Sequence, residues 1–420
     1  MPFITSIFAR EILDSRGYPT LEAEVRAGSA FGRAAAPSGA STGTLEALEL
    51  RDGGQRYGGK GVQRAVSNVN GQIAQALEGT EVLEQNVVDG KLLSLDGTRN
   101  KGRLGANATT AVSLAAAQCA ANSKGIGLYA LLGGNILPLP FMNVLNGGKH
   151  AGNGVAIQEF MVVPHGFSKF SESLQAGSEI YHALGKKIAK KYGKAAIGVG
   201  DEGGYAPSVK KTEDALELLV SSIEECGYSG KVSLAFDAAA SSFYEEKKKK
   251  YKIDGKMLDA SKLLEKYVSL VKKYPILSIE DPFFEEDFAS FALLRKKLAG
   301  KVQVVADDLT VTNPRIIAKA IREKCMSCLL LKVNQVGTLS EALEAAQMCK
   351  KAGLGVMVSH RSGETEDTAI ADIAVGIGCG QIKTGSLARS ERTAKYNRLL
   401  RIEEELGNRG KFAGKTGLKF

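Results

Sequence analysis

From about residue 137 onward the chain repeats one pattern: a short apolar run with a charged residue at its end, a loop, then an amphipathic helix. The runs are FMVVP, AAIGVGDE, VSLAFD, PILSIED, VQVVADD, CLLLKVN, GVMVSH and GQIKTG. Short apolar runs alternating with helices read as buried parallel strands joined by helical crossovers. Eight of them predict a closed (β/α)8-type barrel, an architecture that leaves no sheet edge exposed. The helices carry their own signals. After Thr212, residues Leu216, Leu219, Val220 and Ile223 follow helical spacing, and Gly227 stops the helix. Thr338 to Glu341 reads TLSE, a capping box. The stretch between FMVVP and AAIGVG holds a long helix, so the first barrel units are expected to be irregular.

The first part of the chain has another character. TLEAEVRA alternates as a half-buried strand should, and FGRAAAP suits its hairpin partner. NATTAVSLAAAQCAANSKG reads as an Ala-rich helix, and APSGASTGTLEALE as a small-residue loop leading into a helix. The expected division is an α+β domain over residues 1–133, carrying the SGASTG loop, and a catalytic barrel over residues 134–420.

A barrel makes a statement about chemistry, because the carboxyl ends of its strands surround one mouth. The charged residues at the ends of the runs are Glu159, Glu202, Asp237, Glu280, Asp307, Lys332, His360 and Lys383. From Asp237 they follow at steps of 43, 27, 25, 28 and 23 residues, the length of a strand, a helix and two loops. Asp237, Glu280 and Asp307 end successive runs, and three carboxylates in one mouth repel unless a cation lies between them. An all-oxygen set favours a hard ion, magnesium first and manganese second. The bland alternative is helix capping, which also suits the neighbours Asp281 and Asp308. Lys332 and Lys383 follow apolar residues, so both are expected to enter the mouth. Two ammonium groups beside a divalent cation depress each other's pKa, which makes one usable as a general base.

His360, Arg361 and Ser362 form an anion-binding trio at the end of GVMVSH; the arginine fork suits phosphate or carboxylate. His150, in the Gly-rich NGGKHAGN, can reach the same anion from a loop. Other motifs carry less. GVGDEG matches a dinucleotide fingerprint, but Asp201 and Glu202 stand where a pyrophosphate would rest. GQRYGGKG has Gly61 where a phosphate-binding loop requires Ser or Thr. CMSC (Cys325 and Cys328) has no second pair at zinc spacing and reads as two semi-buried residues entering a strand. The net charge of +9 includes the block Lys247–Lys250 in YEEKKKKYKIDGK, which resembles an exposed hairpin and lacks any nucleic-acid module. No apolar run suits a membrane span or a signal peptide, so a cytoplasmic protein is expected.

SIEDPF, VADDLTVTNP, LLLKVNQVGTLSEA, VMVSHRSGETEDT and QIKTGSLARSER closely resemble the enolase (phosphopyruvate hydratase) family. PSGASTG, LGANA, MNVLNGGKHAGN, QEFMVVP and GDEGGYAP resemble it too, and the match runs from ILDSRG to near the C-terminus. The resemblance implies reversible dehydration of 2-phosphoglycerate to phosphoenolpyruvate with two magnesium ions per site. A lysine or histidine base working with magnesium is the superfamily's known chemistry. By resemblance, Asp237, Glu280 and Asp307 hold the first ion and Ser41 a second. Lys332 takes the C2 proton. Glu202, with Glu159 beside it to raise its pKa, protonates the departing hydroxyl. Lys383 holds the substrate carboxylate and stabilises the ene-diolate. Arg361 and Ser362 grip the phosphate, and His150, Gln158 and His360 contact the substrate. A homodimer or higher homo-oligomer, and a secreted or cell-surface fraction, are family expectations. Tyr18, Thr109, Thr110 and the Lys-rich hairpin depart from the family pattern, away from these positions. Another superfamily member acting on a non-phosphorylated acid would have no use for Arg361, Ser362 and the Ser41 loop. A surface adhesin or nucleic-acid partner would act instead through the basic face.

Overall fold

A computed structural model describes residues 1–39, 45–148 and 154–420. Ser41 and His150 lie outside the described residues. The strands Ile4–Leu13, Pro19–Ala27 and Ala30–Ala35 form an antiparallel sheet in sequence order. The expected hairpin pairs Val25 with Gly32. Its outer neighbour ITSIFAREIL was not anticipated; Phe8 and Leu13 are half exposed, which blurs its alternation. The helix Ala106–Ser123 lies across this sheet and buries nearly every side chain, as an Ala-rich helix must when flanked on several sides. A Cβ on Gly32 would stand 2.1 Å from the Ala115 carbonyl oxygen, so glycine is what permits this close approach. Among the described residues, 45–50 are irregular rather than the helix expected after the SGASTG loop.

The second part is a closed eight-stranded barrel. Around it stand Ile276–Glu280, Gln303–Ala306, Cys328–Leu331, Gly355–Ser359, Gly380–Lys383, Leu139–Asn146, Glu159–Pro164 and Val232–Asp237. Seven of the eight expected runs are strands. AAIGVGDE is not: it forms a 3-10 turn, Lys194–Ile197, and an irregular loop. Ile197 and Val199 are 44% and 40% exposed, and Gly198 and Gly200 beside them weaken any strand preference. Its place is taken by LPFMNVLN (Leu139–Asn146), whose two asparagines and one proline kept it out of the expected runs although every residue is buried.

The irregular start has a definite form. Glu159–Pro164 pairs antiparallel with both its neighbours, while the other barrel pairs are parallel. Glu159 therefore opens its strand rather than closing it. The reversal still delivers it to the mouth, because its register partners are Asn146 and Asp237, the last residues of theirs.

Inside the barrel, Phe141, Met161, Leu330 and Met357 pack into a core of their own, with Leu418 of the C-terminal segment among them. The helices pack outside, Thr212–Glu225 and Leu339–Lys351 as expected. Thr338 caps the latter, accepting the Glu341 backbone N–H at 3.3 Å. The Glu341 carboxylate instead takes the Thr338 hydroxyl and reaches Lys101 across to the first domain, at 2.6 Å. The Lys-rich segment is a small three-stranded sheet, Tyr244–Glu245, Lys250–Ile253 and Lys256–Leu258, with its lysines outward and Tyr251 and Ile253 inward.

Candidate active site

The barrel strands converge on a polar mouth. Lys383, the last residue of its strand, donates to Glu280 at 2.8 Å and to Asp237 at 3.1 Å, and lies 3.3 Å from Glu159. All four side chains are buried. Burial and then the Asp237 charge push the Glu280 carboxyl well above its ordinary range. Burial and then Glu202 do the same for Glu159.

Lys332 follows Cys328–Leu331 and forms an ion pair with Asp307. Burial opposes both charges, but the pairing prevails: Asp307 is lowered and Lys332 raised. The depression expected for the lysines does not arise among the protein's own groups. Lys332 and Lys383 each face acids, and both are raised. Depression requires cationic charge on those acids.

Asp281 and Asp308 are not helix caps; Asp287 and Asn313 cap the helices that follow. Asp281 accepts the backbone N–H groups of Asp307 and Asp308 at 3.0 and 2.7 Å, fixing one strand end to the next. Its carboxyl is pushed well up by burial and by Asp308, and Asp308 is pushed up to about 7 by burial and by Asp307. Asp281, Asp307 and Asp308 can offer one oxygen each within 4.8 Å of one another. The expected trio divides differently: Asp237 and Glu280 share Lys383, while Asp307 holds Lys332.

Glu202 reaches the mouth from a loop rather than a strand. Tyr205 pairs with Val199, closing a turn. Gly204 lies so near Asn146 that a Cβ would stand 2.3 Å from its Oδ1. Asn143 donates to Glu202 at 3.0 Å, and the nearest His360–Glu202 contact is Nε2 to Oε2 at 3.5 Å. Burial drives His360 down to about 4, although Glu202 acts in the opposite sense. Gln158 and Ser362 line the same cavity. Arg361 donates to Glu46 at 2.8 Å and to Asn334 at 3.2 Å, so an anion arriving there shares its guanidinium with an acid.

Several residues of the site escaped sequence reasoning: Glu46, Asn143, Gln335, and Arg392, whose guanidinium meets His360 Nδ1. Gln335 donates to Asp307 at 3.0 Å, and its position three residues beyond Lys332, on the turn after a strand end, was a usable signal. Glu46 comes from the other domain, beyond the reach of any local pattern.

The donor set fits a hard divalent cation. It consists of buried carboxylate oxygens, and among the protein's own groups Lys383 supplies the positive charge that Asp237 and Glu280 demand.

Comparison with known proteins accords with this geometry. The family domain described as "Enolase, N-terminal domain" matches residues 4–132, and "Enolase, C-terminal TIM barrel domain" matches residues 134–420. Among curated relatives, the enolase of Methanopyrus kandleri is 57% identical over 418 residues, 98% of each chain. That of Thermococcus gammatolerans is 56% identical over 420 residues, covering 99% of this chain and 98% of the relative. That of Pyrococcus furiosus is 55% identical over 417 residues, covering 98% and 97%. Both parts of the chain are matched along nearly their whole length, and the chain belongs to the enolase family.

Proposed function

We propose a distribution of roles for the family's reaction, the reversible dehydration of 2-phosphoglycerate to phosphoenolpyruvate, which this chain catalyses as a lyase. The observation that carries it is the meeting of Glu159, Asp237 and Glu280 around the Lys383 ammonium, with the Lys332–Asp307 pair in the same cavity.

Removing a proton beside a carboxylate builds a second negative charge on it. Lys383 holds that carboxylate and stabilises the ene-diolate; its ammonium, buried among three acids, supports this role. Lys332 takes the C2 proton as general base. Glu202, on a separate loop, donates a proton to the departing C3 hydroxyl, with Glu159 beside it. Arg361 and Ser362 bind the phosphate, and Gln158, His360 and His150 contact the substrate. Asp237, Glu280 and Asp307 hold a magnesium ion, for which manganese can substitute, and Ser41 a second. Bound there, the ions supply positive charge beside the substrate carboxylate. Elsewhere the chain's own groups orient the substrate and exclude water.

The same proposal divides the chain at residue 133, places it in the cytoplasm and assembles it as a homodimer or larger homo-oligomer. Among the described residues no helix is long and apolar enough to cross a membrane. Light scattering in solution tests the assembly. The activity is tested by following phosphoenolpyruvate formation from 2-phosphoglycerate with and without a chelator. Turnover that survives complete metal removal, or no turnover with magnesium, contradicts the reading.

A further inference from the structure

We propose that Arg392 is a positioning residue that locks His360 as the neutral tautomer carrying its proton on Nε2. The consequence for turnover rests on the roles given above; the tautomer itself does not.

Arg392 stands in the first turn of the helix Ser390–Leu406 and is 0% exposed. Its Nη1 lies 2.5 Å from His360 Nδ1 and donates to the Arg361 carbonyl at 2.6 Å. Its Nη2 donates to the Ser362 carbonyl at 2.6 Å and to the Asp201 carbonyl at 3.2 Å. A guanidinium has only donors, so His360 Nδ1 facing it must accept. A neutral imidazole that accepts at Nδ1 carries its proton at Nε2. That nitrogen is the one 3.5 Å from the Glu202 carboxylate. An imidazolium would set one N–H against another at 2.5 Å, and burial independently disfavours the charged ring.

Arg392 also fastens two segments together. One is the turn at Asp201, adjoining Glu202; the other is His360 to Ser362, which carries the anion-binding groups. Space for the side chain comes from Gly385, where a Cβ would stand 2.7 Å from Arg392 Cδ. A surface-seeking arginine has no reason to be wholly buried at the back of a barrel mouth, aimed at three carbonyls and a ring nitrogen.

The chain has four histidines, so the imidazole nitrogens can be resolved by 15N long-range correlation spectra of the substrate-free protein. Wild type is expected to show His360 as Nε2–H at neutral pH. Arg392→Met, which removes every donor, is expected to give mixed tautomers and to lower kcat by about 10- to 100-fold, the usual cost of losing an orienting partner. Arg392→Lys, which keeps a donor, is expected to restore the Nε2–H form and part of kcat. Should the methionine variant fail to fold, wild type and the lysine variant still decide. An Nδ1–H or doubly protonated His360 in wild type overturns the proposal, as does an unchanged tautomer in folded Arg392→Met. An Nε2–H His360 in a wild type inactive on 2-phosphoglycerate supports the lock and sinks the role assignment instead.

Discussion

Lys383 and Glu280 meet at 2.8 Å in the buried mouth of the barrel, although 103 residues separate them. A buried charge is tolerated only where its remaining donors are engaged, and here Asp237 and Glu159 share the same ammonium.

Removing one acid should therefore be read on the metal. Glu280→Gln is expected to weaken magnesium binding by at least about tenfold, since even outer-sphere changes cost roughly 10- to 100-fold. Calorimetric titration of magnesium checks it; unchanged affinity would exclude Glu280 as a ligand.

Acid and base can be separated by isotope exchange. Glu202→Gln should lose dehydration by about 100-fold or more, while Lys332 still exchanges the C2 proton of 2-phosphoglycerate with heavy water. Loss of the exchange along with dehydration would show that Glu202 does not act at the hydroxyl alone.

His360 makes a statement about pH and stability. Its pKa falls from 6.5 to about 4 on folding, so between these values the unfolded chain binds a proton that the folded one does not. Stability conferred by the buried neutral ring is thus complete above pH 6.5 and is lost as pH falls toward 4, by up to about 3 kcal/mol. Glu202, Arg392 and Glu364 face the ring, so the comparison must be internal. Denaturant melts at pH 7 and pH 4.5 should differ more for wild type than for His360→Asn. Equal differences would contradict the burial account.

The first domain depends on a close approach. In Gly32→Ala the new Cβ would meet Ala115 O at 2.1 Å and Cys119 N at 2.3 Å, both backbone. A loss of about 1–3 kcal/mol is expected, because a helix must shift. A denaturant midpoint equal to wild type would show that the sheet yields freely.

The barrel was legible because its strands end in charge, a pattern that survives without knowledge of packing. It misled twice, for physical reasons. AAIGVGDE looks like a strand by composition, but its glycines and exposed apolar residues leave it a loop. Leu139–Asn146 hides a strand because asparagine is a turn residue in isolation; within the barrel Asn143 serves Glu202 instead. Glu159 was counted rightly in the mouth although its strand runs backwards, a reversal visible only in the pairing. Glu46 and Arg392 stayed invisible because their partners are 315 and 32 residues away, where no periodicity reaches.

Lys332→Ala, assayed for turnover and for magnesium affinity on the same sample, separates proton abstraction from metal binding. Lys332 is paired with Asp307 as an ammonium, yet it is as the neutral amine that it is assigned the substrate's C2 proton. The account predicts turnover reduced at least about 1000-fold with magnesium binding nearly intact. Turnover close to wild type, with the metal still bound, would contradict it.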